Sequence, residues 1–387
     1  MRTIIRFAGF MSVFFLGFLA VNYTIFYGTY ALFGVEPGLG FYTLLVIAAV
    51  SYPLAAMIER LVSNNYTRVF YTVASSWMGI SFYVLTFMAV YWILSIFIKI
   101  PGEAAGTIII VLSALLSGYS LINSGRIDIK HVKIPLNGLE REVKAVQLSD
   151  IHIGSIRNSE YLEEVVEKTN KLDPEVVFIT GDMVDGSARL HTHTFNAINK
   201  LKAPAFFIMG NHETYEGLDE VLRVLNGVKM KILRDQKVEF NGIQIIGVEY
   251  SFERNHMKNV LSKVDVDPSK PSIVLYHTPT ELEATADAGV GLQLSGHTHA
   301  GQMLPFNYLV RLMFKYMKGI YKYKDTYLYV SPGTGTWGPP MRLGSRCEIT
   351  VLDLEASQHK TNPKDSLIKY KKINQWHKKK LLETQKQ

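Results

Sequence analysis

Residues 292–303 read LQLSGHTHAGQM, an apolar stretch running into two histidines, His297 and His299, one residue apart between glycines. Alone the pair carries little weight, because an HxH spacing is common on solvated surface. The same arrangement recurs, however, along the second half of the chain. "REVKAVQLSDIHIG" ends in Asp150 and His152, and "EVVFITGDMVDG" ends in acidic residues that include Asp182. "APAFFIMGNHETYEG" brings Asn211 and His212 to the end of a third apolar run, and "PSIVLYHTPT" brings His277 to another. "SEYLEEVVEKTNKLDP" has helical spacing, with a cap at Asn158 or Ser159. Alternating strand and helix patterns predict an α/β domain. In such domains ligands sit outside the carboxyl ends of the strands, where these polar residues fall. Imidazole nitrogens and carboxylate oxygens without thiolate suit borderline divalent metals.

The first third of the chain is different. From Phe7 to Ile58 the only charged residue is Glu36, and Val69–Ile98 and Ala104–Gly125 contain none. A helix needs about 20 apolar residues to cross the hydrocarbon core. Four spans are therefore expected, over roughly 7–32, 41–58, 69–98 and 105–123, with the first two separated by "FGVEPGLG". Arg2, Arg6, Arg60, Arg68, Arg126, Lys130 and Lys133 flank the ends that would face the cytoplasm. The protein is thus expected in the cell membrane as a multi-pass chain, with everything after residue 125 cytoplasmic. The expected organisation is a four-span α-helical transmembrane region over 1–125, an α/β domain over 126–356 and a basic amphipathic tail over 357–387.

The net charge of +7 is concentrated in that tail, where nine lysines between Lys360 and Gln387 face Asp365 and Glu383. Such a segment suits anionic lipid head groups, and no nucleic-acid partner is expected because no readout motif accompanies it. The single cysteine, Cys347, excludes an intramolecular disulfide framework and a cysteine-rich zinc module.

Taken in order, D-x-H (150–152), G-D (181–182), G-N-H (210–212), a lone His277 and G-H-x-H (296–299) resemble the calcineurin-like metallophosphoesterases. The extension "GHTHAGQ" and the later "YVSPGTGTWGPPMRL" resemble the membrane-associated phosphodiesterase branch of that superfamily. The resemblance covers residues from about 130 to 355 and says nothing of the four spans. It implies a β-sandwich flanked by helices and two divalent metal ions, for which Mn, Fe or Zn would suit. It assigns Asp150, His152 and His299 to one metal, Asn211, His277 and His297 to the other, and Asp182 to a bridge. It also implies hydrolysis of a phosphoester by metal-activated hydroxide, with His212 as the acid for the leaving group. The favoured substrate is a lipid-linked phosphodiester or pyrophosphate. A tethered enzyme acting on a soluble nucleotide or phosphoester is the alternative, and a non-catalytic scaffold or sensor a third.

Other residues invite weaker assignments. Arg342 and Arg346 follow the Gly/Pro-rich loop and are candidates for holding a phosphate or head group. Asp185 reads first as a turn former and only second as a ligand, and Glu213 reads as an orienting residue outside the ligand set. "LHTHTF" repeats the HxH spacing at His191 and His193 but has no strand before it, so it is left outside the site. "FNYLVRLMFKYMKGIYKYK" (306–324) is expected to be one helix, with Asn307, Arg311, Lys315, Lys318 and Lys322 as a basic stripe on an apolar surface. Such a helix suits the head-group boundary beside the site.

Overall fold

The computed structural model describes residues 2–356, with side chains from residue 15. The basic tail over 357–387 lies outside the described residues. Four helices come first: α1 (Arg2–Leu32), α2 (Leu39–Leu61), α3 (Asn65–Ser95) and α4 (Gly102–Ser124). Each is long and apolar enough to cross a membrane. Local chemistry sets their ends. Asn64 caps α3, its Oδ1 accepting from the Tyr66 and Thr67 backbone N–H groups, while its own N–H is accepted by Thr67 Oγ1. Pro101, which cannot donate within a helix, precedes α4. Ile25, Val84, Met88 and Ile109 pack the helices against one another. At most 33% of any apolar window is buried, so most of this surface faces outward, as a lipid solvent requires.

Two six-stranded sheets follow. The first runs β1 (Ile127–Leu136), β12 (Cys347–Ala356), β2 (Val143–Leu148), β3 (Val176–Thr180), β4 (Ala205–Ile208), β5 (Lys231–Ile232). The second runs β10 (Gly319–Tyr323), β11 (Thr326–Val330), β9 (Leu292–Ser295), β8 (Ser272–Tyr276), β7 (Ile243–Val248), β6 (Gln236–Phe240). The two-residue side-chain period of a strand builds three apolar cores between four layers of secondary structure. Val176 and Phe178 of β3 meet Ile273 and Leu275 of β8 between the sheets. The alternate residues Val177 and Ile179 face α5 (Ser159–Lys171) and α7 (Leu218–Leu225). Val274 and Tyr276 of β8 face α8 (His256–Leu261) on the other side. The result is a β-sandwich flanked by helices. Because β2, β3 and β4 are mutually parallel, as are β8 and β9, their carboxyl ends emerge at a common edge.

The stretch 306–324 corrects the sequence reading. Only α10 (Phe306–Met313) is helical; residues 319–323 form β10, paired antiparallel with β11. Gly319 turns the chain at φ 84°, where only glycine is unstrained. The run Ile320, Tyr321, Tyr323 then gains more from pairing with β11 than from continuing a helix. Met317 is buried and Ile320 is half-exposed, so most of the exposed apolar surface of this segment lies on α10.

The apolar helices rest directly on the loops at the sandwich edge. Asn123 near the end of α4 donates from Nδ2 to the carbonyls of Arg342 and Ser345, at 2.9 and 3.0 Å. Ser124 Oγ donates to the Pro340 carbonyl at 2.6 Å. Arg60 of α2 reaches the Gly186 carbonyl at 3.0 Å and the Glu216 carboxylate at 3.1 Å. An Asn123→Ala variant would leave two buried carbonyls without their donor. It is expected to lose about 1–3 kcal/mol of stability, read by denaturant unfolding in micelles.

Candidate metal centre

The motif residues all stand just beyond strand ends: Asp150 and His152 after β2, Asp182 after β3, Asn211 and His212 after β4, His277 after β8, and His297 and His299 after β9. The structure brings them together. On one side His152 Nε2 lies 3.0 Å from His299 Nε2, and Asp150 Oδ1 is 3.4 Å from the same His299 nitrogen. On the other, Asn211 Oδ1 lies 3.0 Å from His277 Nε2 and 2.8 Å from His297 Nδ1. Asp182 stands between the groups, its Oδ2 3.1 Å from His277 Nε2 and 3.8 Å from His152 Nε2. Asp150, His152, Asp182, Asn211, His277 and His299 are all buried.

The backbone shows why these ends are specialised. Asp150, His152, Asp182, His297 and His299 all have φ between 49° and 70°. Non-glycine residues seldom adopt this left-handed region, and such strain collects at functional sites. The motif glycines are steric requirements. A Cβ on Gly296 would strike Ser149 Oγ and Asp150 Oδ2, and one on Gly210 would strike Asp182 Oδ1. Glu213 is fully buried and accepts from the N–H groups of Gly210, Asp182, Met183 and Val184 at 2.7–3.0 Å. It thereby ties the β3 end to the β4 end.

The donor set fits cations. The Thr180 carbonyl, 2.8 Å from His277 Nδ1, can only accept, so Nδ1 carries the hydrogen. His277 Nε2 then turns its lone pair toward Asn211 Oδ1 and Asp182 Oδ2, and only a cation, whether proton or metal, reconciles these groups. Burial lowers the proton affinity of His277, but Asp182 and Asp150 outweigh it and push the pKa up to about 10. His297, burdened by burial and by His277, is pushed down to about 3. A metal at this place would therefore displace one proton, that of His277. Among the described residues, three groups of side chains have ligand atoms close enough to hold an ion: Asp150, His152 and His299; Asp182, His277 and His297; and His152, Asp185 and His212. In the third group Asp185 Oδ1 lies 3.6 Å from His152 Nδ1, the nitrogen facing away from His299, so Asp185 orients that ring as well as shaping the turn.

His212 lies at the rim. Its Nδ1 donates to the Asp185 carbonyl at 2.8 Å, and its N–H donates to Asp182 Oδ1 at 2.9 Å. Burial, then His152, lower its pKa, opposed by Asp182 and Asp185. Exposed Tyr215 and Trp337 flank its ring at 5.7 and 6.4 Å. His191 and His193 are exposed and stack on each other beside a 3₁₀ helix (Thr192–Lys200), outside the cluster.

Neither arginine proposed for a phosphate is placed to hold one. Arg342 is fully buried, and its Nη groups donate to the carbonyls of His299, Pro332 and Gly335 at 3.1, 2.8 and 2.6 Å. It braces the loop that carries His299. Arg346 is half-exposed and paired with Asp128 at 3.0 Å at the start of β1.

Fold and site together define a sandwich with an Asp/Asn/His cluster at its strand ends. The family model for calcineurin-like phosphoesterase matches residues 143–301, and the chain belongs to that family. A metallophosphoesterase of Campylobacter jejuni is 34% identical over 259 residues, covering 65% of this chain and 69% of the relative. One of Helicobacter pylori is 36% identical over 238 residues, covering 59% of this chain and 64% of its own length. The match thus spans less than two thirds of the Helicobacter relative. A bovine (Bos taurus) transmembrane protein with metallophosphoesterase domain is 30% identical over 275 residues, covering 64% of this chain and 62% of the relative.

Proposed function

We propose that the protein is a membrane-held, metal-dependent phosphoesterase that hydrolyses a phosphodiester or pyrophosphate bond, the substrate being lipid-linked and approached from the cytoplasmic side. The observation that carries this is the convergence of Asp150, His152 and His299 on one side of Asp182, and of Asn211, His277 and His297 on the other. When bound, two divalent cations would neutralise the phosphoester and lower the pKa of water toward neutrality. Asp182, facing both groups, would set their separation, and Glu213 holds Asp182 in place. His212 fixes its own ring through its Nδ1–H, and the imidazolium, favoured by the negative charge of a bound phosphoester, would carry on Nε2 the proton for the departing alkoxide. The four apolar helices, and the similarity to a relative described as transmembrane, support placement at the bilayer.

Stripping metal with a chelator is expected to abolish turnover of bis(p-nitrophenyl) phosphate, and Mn²⁺ or another divalent ion to restore it. Retention of activity by metal-free protein would overturn the mechanism. Calorimetric titration of the stripped protein at pH 7 in buffers of different ionisation enthalpy is expected to show net proton release, to which His277 and His152, both raised by neighbouring carboxylates, contribute. Comparing the aryl diester with an aryl monoester and a lipid extract separates a lipid substrate from a soluble one.

A further inference from the structure

α10 carries an apolar face that nothing in the sandwich covers. Tyr308, Leu309, Leu312 and Met313 are 62%, 55%, 84% and 75% exposed, whereas Val310 on the opposite side is buried. At 100° per residue the four exposed side chains fall on one continuous arc of the helix. Arg311 beside the arc and Lys318 just beyond are exposed cations, and Lys315 is paired with Glu283 at 3.1 Å.

The position of α10 shows what covers this face. Phe306, at its start, packs edge-on against Phe82 of α3, with ring centroids 6.1 Å apart. Met303 and Met341 join Tyr83 of α3 in a buried cluster next to this contact. Phe82 lies about 20 Å along α3 from Ser95 at 1.5 Å per residue. Ser95 closes α3 at the end where α4 begins against Leu32 of α1. A hydrocarbon core of about 30 Å measured from that end reaches past Phe82, so α10 is attached to α3 at bilayer depth. Through Phe306 and Met303 the segment that carries the arc thus adjoins the apolar helices.

We propose that α10 is a monotopic element that lies in the near leaflet at the head-group boundary and opens the metal centre toward the bilayer. This rests on the reading of the chain as a membrane-held phosphoesterase and names how its substrate arrives. Both ends of α10 are tied to the centre. The helix begins within a few residues of His299, and Phe314, just past its end, packs its ring 5.2 Å from that of His297. A phosphoester whose acyl chains remain in the leaflet would reach the ligand cluster along this face without leaving the membrane, while Arg311 and Lys318 meet anionic head groups.

The depth of α10 can be measured without activity. Cys347 is the single cysteine and is buried, so a nitroxide placed through Leu312→Cys labels one site in the full chain. In nanodiscs of phosphatidylethanolamine and phosphatidylglycerol, the label is expected to be relaxed more by oxygen than by chromium(III) oxalate. A label at Ser269→Cys, on an exposed loop, should show the reverse. Equal, water-like behaviour at both positions overturns the proposal. In the same discs, a Leu309→Ser, Leu312→Ser, Met313→Ser variant is expected to lose about tenfold in kcat/KM on CDP-diacylglycerol, with bis(p-nitrophenyl) phosphate unchanged. Equal loss on both substrates also counts against it. If the wild type cleaves only the aryl diester, the lipid-substrate reading fails while the label still reports the depth of α10.

Discussion

Asp182→Asn is expected to lower kcat/KM for bis(p-nitrophenyl) phosphate by on the order of 10³-fold, about 4 kcal/mol of barrier. The protein should remain folded. Asparagine tolerates the left-handed conformation found at residue 182, where φ is 52°, and its side-chain oxygen can still accept from the His212 N–H, as Asp182 Oδ1 does at 2.9 Å. What is lost is the negative charge that faces His277 Nε2 at 3.1 Å and His152 Nε2 at 3.8 Å. Among the described residues no other carboxylate faces both histidine groups so closely, since Asp150 Oδ1 is 3.4 Å from His299 Nε2 but 4.0 Å from His277 Nε2. The variant should therefore hold fewer metal ions per chain than the wild type, measured by mass spectrometry of the digested protein. Turnover within tenfold of wild type at unchanged metal content would show that Asp182 does not join two ions.

Much of this site is legible in the sequence, because each part of it is local. An apolar run, a glycine and an acid or imidazole record a strand and its end within a dozen residues, and the α/β alternation makes the ends coincide. The glycines were legible as turn formers, yet their stricter role is to let Asp150 and Asp182 approach neighbouring loops, which only the fold reveals. The four apolar helices were equally plain, since absence of charge is a property of composition. The segment 306–324 was not, for its lysines fall at helical spacing while Ile320, Tyr321 and Tyr323 also fit a strand. A partner strand, β11, decided between them, and local pattern carries no trace of a partner. The docking of Asn123 and Ser124 onto residues 340–345 was invisible for a similar reason: it joins serine, asparagine and backbone carbonyls more than 200 residues away. An arginine whose partners are carbonyls likewise leaves no complementary charge in the sequence, so Arg342 invited the wrong assignment.

Replacing Arg342 with Met tests the corrected role, and the loss should appear mainly in stability. The guanidinium donates to the carbonyls of His299, Pro332 and Gly335 and to Ser345 Oγ, at 2.6–3.2 Å, with no solvent at hand to take its place. Methionine fills much of the volume but donates nothing. The His299 carbonyl keeps the Gln302 N–H at 2.9 Å and the Gly335 carbonyl keeps Cys347 Sγ at 3.4 Å, so the acceptor left unpaired is the Pro332 carbonyl, and a loss of about 1–3 kcal/mol is expected. Arg342→Lys should recover only part of it, because one ammonium cannot span carbonyls on both sides of the loop as the planar fork does. Metal affinity should fall by about 10–100-fold as well, because the same side chain positions the loop carrying His299. An arginine that held substrate phosphate would behave oppositely, raising KM while leaving unfolding and metal affinity unchanged. Denaturant unfolding in micelles, with and without Mn²⁺, separates the two outcomes, and an Arg342→Met variant as stable as wild type would overturn the bracing role.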